Sequence, residues 1–179
     1  MMAKVEKRNL SGKNPRLEIN LNELFGRRVP DSVAFREGVG QAVIDAIRKR
    51  TKENVDRNGS RFKNYSKEYS KTTEFKAANK SISNPNLKLT GDMLGFMDII
   101  DSSRNKIVIG WDDREEQLKA HGHITGANPG PRVRRDFFGL PQDDYNKLKH
   151  GFTLPTDEPA DGEASLLSTL VTLQELFRG

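Results

Sequence analysis

Two short runs of β-branched residues constrain this chain most. Asp98-Ile99-Ile100-Asp101-Ser102 and Lys106-Ile107-Val108-Ile109-Gly110-Trp111 flank a polar turn at residues 103–105. Such side chains lose rotamer freedom in a helix and fit a pleated surface, so the pair reads as an antiparallel hairpin. Before it, residues 93–97 read as a turn of helix, capped by Thr90, or as the start of the strand. After it, Asp112 and Glu115 have the spacing of an acidic capping box, which predicts a helix over residues 113–120 ending at Gly122.

Upstream, residues 16–24 alternate, with Leu17, Ile19 and Leu21 on one side and Glu18, Asn20 and Asn22 on the other. This predicts a half-buried strand, stopped by Gly26. Asp31 or Ser32 then caps a helix that runs to about Val55. Phe35, Val39, Ala42 and Ala46 recur at spacings of four and three, and Val43 and Ile47 widen the stripe. Gly38 and Gly40 each cost about 1 kcal/mol against alanine in a helix interior. They either permit close packing on a sheet or mark a local break. A last helix is expected from residues 140–143 to about His150, with Tyr145 and Leu148 on one face.

Charge is unevenly spread. The net charge is +5, with 31% charged and 34% apolar residues, which suits a modest core and a generous surface. Residues 1–16 hold Lys4, Lys7, Arg8, Lys13 and Arg16 against Glu6, and read as a basic flexible arm. Residues 48–80 hold eleven Lys/Arg against four Asp/Glu. Phe62, Tyr65, Tyr69 and Phe75 punctuate this part. Such rings either pin a long loop to the domain or stack on bases while Arg57, Arg61, Lys63, Lys67 and Lys71 meet phosphates. Residues 153–163 form a Pro- and acid-rich linker with Asp157, Glu158, Asp161 and Glu163. Beyond it Leu166, Leu170, Leu173 and Phe177 share one helical stripe, which predicts an arm that docks on a neighbouring copy or another protein. The expected organisation is therefore an arm over residues 1–16, a domain over 17–152, and a linker with an apolar helical arm over 153–179. A basic body with an acidic tail suits a nucleic-acid contact, head-to-tail attraction between copies, or a solvated surface.

No constellation of catalytic residues stands out. There is no cysteine, so disulfides and thiolate metal sites are excluded. Asp112, Asp113, Glu115 and Glu116 read as carboxylates favoured at a helix N-terminus rather than as a metal cluster. His121 and His123 lack the spacing of a paired helical zinc site, and read as structural or interface residues; a metal-dependent hydrolase centred on them is a rival. Neither a Gly-x-Ser-x-Gly elbow nor a Gly-rich phosphate loop occurs. No apolar run reaches the roughly 20 residues that span a bilayer, and a soluble protein made in a cytoplasm is expected. Arg132, Arg134 and Arg135 beside Phe137 and Phe138 have the composition of a protein interface, or of a phosphate contact.

Four pieces within residues 31–152 resemble, in order, the phage virion-morphogenesis (tail-completion) family, related to the head–tail connector proteins of tailed phages. Leu89-Thr90-Gly91-Asp92-Met93-Leu94 is similar to a Leu-x-Ser/Thr-Gly-x-Leu segment. Lys106-Ile107-Val108-Ile109-Gly110 is similar to an apolar strand ending in glycine. Leu118-Lys119-Ala120-His121-Gly122 sits where the family has Ala-x-x-His-Gln-x-Gly, and Gly122-His123 replaces the Gln-x-Gly. Arg135-Asp136-Phe137-Phe138-Gly139-Leu140 resembles the family's Pro-x-Arg-Pro-Phe-Leu-Gly, with Val133 and Asp136 in the proline positions.

The resemblance implies an α+β fold, an antiparallel sheet with a long helix packed across it, plus the two terminal arms. It implies a structural subunit of a virion, not an enzyme and without a cofactor, forming a ring of its own copies at the neck or tail end. Portal-side or tail proteins would be its partners, with non-specific contact to passing DNA and no membrane. Subunit contacts are expected from Arg132, Arg134, Arg135, Phe137 and Phe138, and from Leu166, Leu170, Leu173 and Phe177 in the tail. DNA-facing positions are expected at Arg57, Arg61, Lys63, Lys67 and Lys71. The alternative is a basic nucleic-acid-binding module using the cations and rings of residues 57–80.

Overall fold

A computed structural model describes residues 6–10, 14–87, 92–127 and 133–152. It is an α+β fold in which four antiparallel strands form one sheet and a long helix lies across it. The strands are β1 (Glu6–Asn9), β2 (Arg16–Asn20), β3 (Asp98–Ser103) and β4 (Lys106–Gly110), in the order β1-β2-β4-β3. The expected hairpin is β3–β4, with a bulge between Ile99 and Asp101.

Register fixes which side chains share a face. Leu17 faces Ile109, which faces Ile99; Ile19 faces Ile107. All but Ile99, which is half-buried, are wholly buried. This face receives helix α2 (Val33–Lys52). The Ser32 hydroxyl accepts from the Phe35 amide and starts the helix, as the sequence predicts. Gly40 is where helix and sheet come closest: a Cβ there would stand 2.3 Å from Ile99 Cδ1 and 3.7 Å from Ile107 Cδ1. Close approach, and not a helix break, is thus what Gly40 provides. The opposite face is mostly polar, with Lys106 between Glu18 at 3.9 Å and Asp101 at 3.7 Å.

The strand expected over residues 16–24 is shorter. Asn20 accepts from the Glu23 amide and caps helix α1 (Leu21–Phe25), which ends at Gly26 with φ +69°. A local side-chain cap thus overrides the alternation. A second correction concerns the N-terminal segment. Part of the expected flexible arm is strand β1, whose Glu6 pairs with Ile19 and Arg8 with Leu17. Both therefore lie on the core side of the sheet, where they find ionic partners instead of apolar ones.

Between the helix and the hairpin, residues 53–87 carry only a single turn of 3-10 helix (Tyr69–Lys71) and the short helix α3 (Thr73–Ala77). Phe62 anchors this stretch in the core. The one-turn helix α4 (Asp92–Gly95) resolves the ambiguity before β3, and the Arg48 guanidinium binds the carbonyls of Leu94, Gly95 and Met97 beside it. Thr90, its expected cap, lies outside the described residues.

Helix α5 is Arg114–Thr125. Its cap is Asp113, which accepts from the Glu116 amide at 2.9 Å, one residue later than expected. It passes through Gly122, which is buried, and stops at Gly126 with φ +75°. Positive φ, not glycine alone, marks the end. Helix α6 (Gln142–Gly151) matches its expectation, with Leu148 buried. It leads into Phe152, whose ring packs edge-on against Phe25 at 5.9 Å and Phe35 at 5.7 Å.

Candidate interaction surface

The arginine-rich segment before α6 is held from several sides. Asp136 is buried; its carboxylate accepts from Arg8 and from Arg134 at 3.0 Å, and Arg57 forms a longer ion pair with it at 3.6 Å. Glu6 takes Arg57 at 3.0 Å and the Leu140 amide at 3.0 Å, with the Tyr145 hydroxyl at 3.4 Å. From below, Arg50 bonds Asp144 at 2.6 Å and the carbonyls of Phe137 at 2.8 Å and Gly139 at 2.7 Å. Burial draws the Arg50 pKa below its ordinary value, and Asp144 pulls it back. Burial, then the neighbouring Glu6 charge, pushes the Tyr145 hydroxyl well above the ordinary phenol range.

This geometry corrects the expected subunit-contact set. Phe137 and Phe138 are 0% exposed. They pack against Trp111, Phe137 edge-on with ring centres 6.3 Å apart and Phe138 tilted at 4.9 Å, and are core residues unable to meet a neighbour from this position. Arg135 is also buried. It donates to the Lys63 carbonyl at 3.0 Å and lies 5.0 Å from the Tyr65 ring centre, so it fastens the basic loop to the domain. Arg134 is the exposed member, and lines an open cleft of about 410 Å³ with Asp56, Asn58, Lys63, Val133 and Asp136. Arg132, Leu166, Leu170, Leu173 and Phe177 lie outside the described residues.

In the basic loop the rings turn to one another. Tyr65, Tyr69 and Phe75 form a three-way cluster with centres 5.3 to 5.5 Å apart, and Lys80 lies over Tyr65 at 5.3 Å. Burial, then Arg135, lowers the Lys80 pKa; burial raises that of Tyr65. Of the expected DNA-facing residues, Arg61, Lys63, Lys67 and Lys71 are exposed, whereas Arg57 is half-buried in its two ion pairs.

His121 and His123 fall on α5, two residues apart and half-buried. Among the described residues no group of three or more His, Asp or Glu is placed to hold a metal ion.

One surface was not singled out from sequence. The tip of the β3–β4 hairpin meets α1 and the loop after it: the Leu21 amide at the start of α1 donates to the Asn105 carbonyl at 2.8 Å, and Arg104 lies 3.6 Å from Asp31 in the loop, whose Val29 amide donates back to Asn22 Oδ1 at 3.0 Å. Between them opens a cleft of about 560 Å³ lined by Arg27, Arg28, Arg104, Asn22, Glu23 and Val29 among others. Lys149 of α6 reaches towards its Gly26 wall. The adjacent Arg27 and Arg28 were the available sequence signal, but Arg104 joins them only in three dimensions.

Comparison with family models, with curated proteins and with solved structures finds no match. No helix among the described residues is long and apolar enough to cross a membrane.

Proposed function

We propose that this chain is a structural subunit of a tailed-phage virion, one that forms a ring at the neck or tail end and completes or joins head and tail. The observation that carries the reading is where the resembling pieces fall. Their described residues lie, in the family's order, at α4, β4, α5 and the Phe137-Phe138 turn, and Met93, Ile107, Ile109, Ala120, Phe137 and Phe138 are all buried. Motifs of this kind serve the fold, which leaves the exposed, family-independent surface for assembly. Basic and acidic surfaces on different parts of one chain suit heterologous contacts, which close into rings.

The test is imaging. Virions or tail precursors from cells expressing the chain with its neighbouring structural genes should show it as a ring on the particle axis. Its appearance free of particles, with tails completed normally when it is removed, overturns the reading.

The exposed Arg61, Lys63, Lys67 and Lys71 favour a second reading, a nucleic-acid-binding module. Its rings are occupied with one another, so it would act through phosphates alone. Tight, steeply salt-dependent binding of duplex DNA by the purified chain, lost on neutralising these four, would support it.

A further inference from the structure

We propose that the arginine cleft at the hairpin tip is the seat of the chain's own acidic segment, residues 157–163. The described chain ends at Phe152, whose ring sits 5.9 Å from that of Phe25. Phe25 precedes Gly26, which lines the cleft, and Lys149 flanks the same wall. The polypeptide therefore leaves α6 beside a surface bearing Arg27, Arg28 and Arg104. Within the next eleven residues it carries Asp157, Glu158, Asp161 and Glu163 and no lysine or arginine. From Phe152 to Asp157 an extended chain spans up to about 17 Å.

Arg104 is only loosely held within the fold. Arg104 reaches Asp31 at 3.6 Å, but both side chains are more than half exposed, and such pairs are readily exchanged. Among the described residues, Glu23 is the one acid in the cleft wall. A tether this short raises the local concentration of the carboxylates far above that of a free partner. Occupancy would fix the direction in which the apolar stripe of Leu166, Leu170, Leu173 and Phe177 departs. The proposal holds whether or not the chain forms a ring.

The chain lacks cysteine, so Glu23→Cys and Ala160→Cys place two spin labels without interference. Pulsed electron resonance on the full chain should give one narrow distance. It should broaden when Arg27→Gln, Arg28→Gln and Arg104→Gln are combined. It should broaden equally when Asp157→Asn, Glu158→Gln, Asp161→Asn and Glu163→Gln are combined, a set outside the described fold. Diluting the labelled protein with unlabelled chain should leave the distance unchanged. A distribution already broad in the parent, or one untouched by either set of substitutions, overturns the proposal. So does a narrow distance that disappears on dilution, which would seat the segment on a second copy.

Discussion

Gly40 and Ile99 touch at the point where α2 crosses the sheet. A methyl group on Gly40 would lie 2.3 Å from Ile99 Cδ1 and 2.7 Å from its Cγ1. Gly40→Val should therefore lower unfolding free energy by about 1–3 kcal/mol through overpacking. Adding Ile99→Ala should return part of that loss, because the second change removes the clashing atoms. Denaturant titration of both single variants and the double variant measures the coupling; strict additivity would show that the helix had shifted instead.

Arg50 and Asp144 are separated by 94 positions and are both largely buried. Asp144→Asn leaves the buried cation with two carbonyls and no carboxylate bonded to it, and should cost about 3–5 kcal/mol. Arg50→Met combined with Asp144→Leu should cost less than the two single losses summed, since no charge is then stranded. Equilibrium unfolding of the four proteins checks this.

Phe138→Ala removes the ring closest to Trp111 and should destabilise the monomer by about 3–5 kcal/mol. Trp111 is the only tryptophan, so its emission should shift to the red as water enters. An assembly defect with unchanged stability and unchanged emission would instead return Phe138 to a subunit interface.

The raised pKa of Tyr145 makes an alkaline prediction. In the unfolded chain a tyrosine loses its proton near pH 10, while the folded hydroxyl, buried beside Glu6, retains it. Above about pH 10 the unfolded state thus binds fewer protons, and stability falls as pH rises further. Below that pH the contribution is fully present. Tyr145→Phe should flatten the alkaline limb without steepening the acid one, as thermal melts across the range would show.

Periodicity was enough for the sheet centre and for α2. Leu17, Ile19, Ile107 and Ile109 alternate or cluster as buried strands do, and the Ser32 cap and the stripe of Phe35, Val39, Ala42 and Ala46 locate the helix. The helix α5 was legible only approximately. Asp112 and Asp113 each have a glutamate three residues on, and Gly122 and Gly126 both resemble stops; burial of Glu116, Ala120 and Ile124 chooses between the registers. Strand β1 carried no apolar signal because its inward residues are Glu6 and Arg8. Phe137 and Phe138 misled for a different reason. Aromatics beside arginines describe an interface and a polar-capped core equally well, and only the position of Trp111 separates the two. The Arg27, Arg28 and Arg104 cleft needs the hairpin tip folded back onto the loop after α1, a juxtaposition across about 75 positions that no local pattern encodes.

The inward-facing ions of β1 have a mechanical consequence. Its neighbour β2 is welded to the body by Leu17 and Ile19, which water cannot easily replace, whereas Glu6 and Arg8 grip polar groups that water can imitate. The outermost strand can therefore peel away while the apolar interior stays shut. Amides of Lys7 and Arg8 should trade their protons for deuterium well before those of Leu17 and Ile19, making this rim the natural point at which the sheet first comes undone.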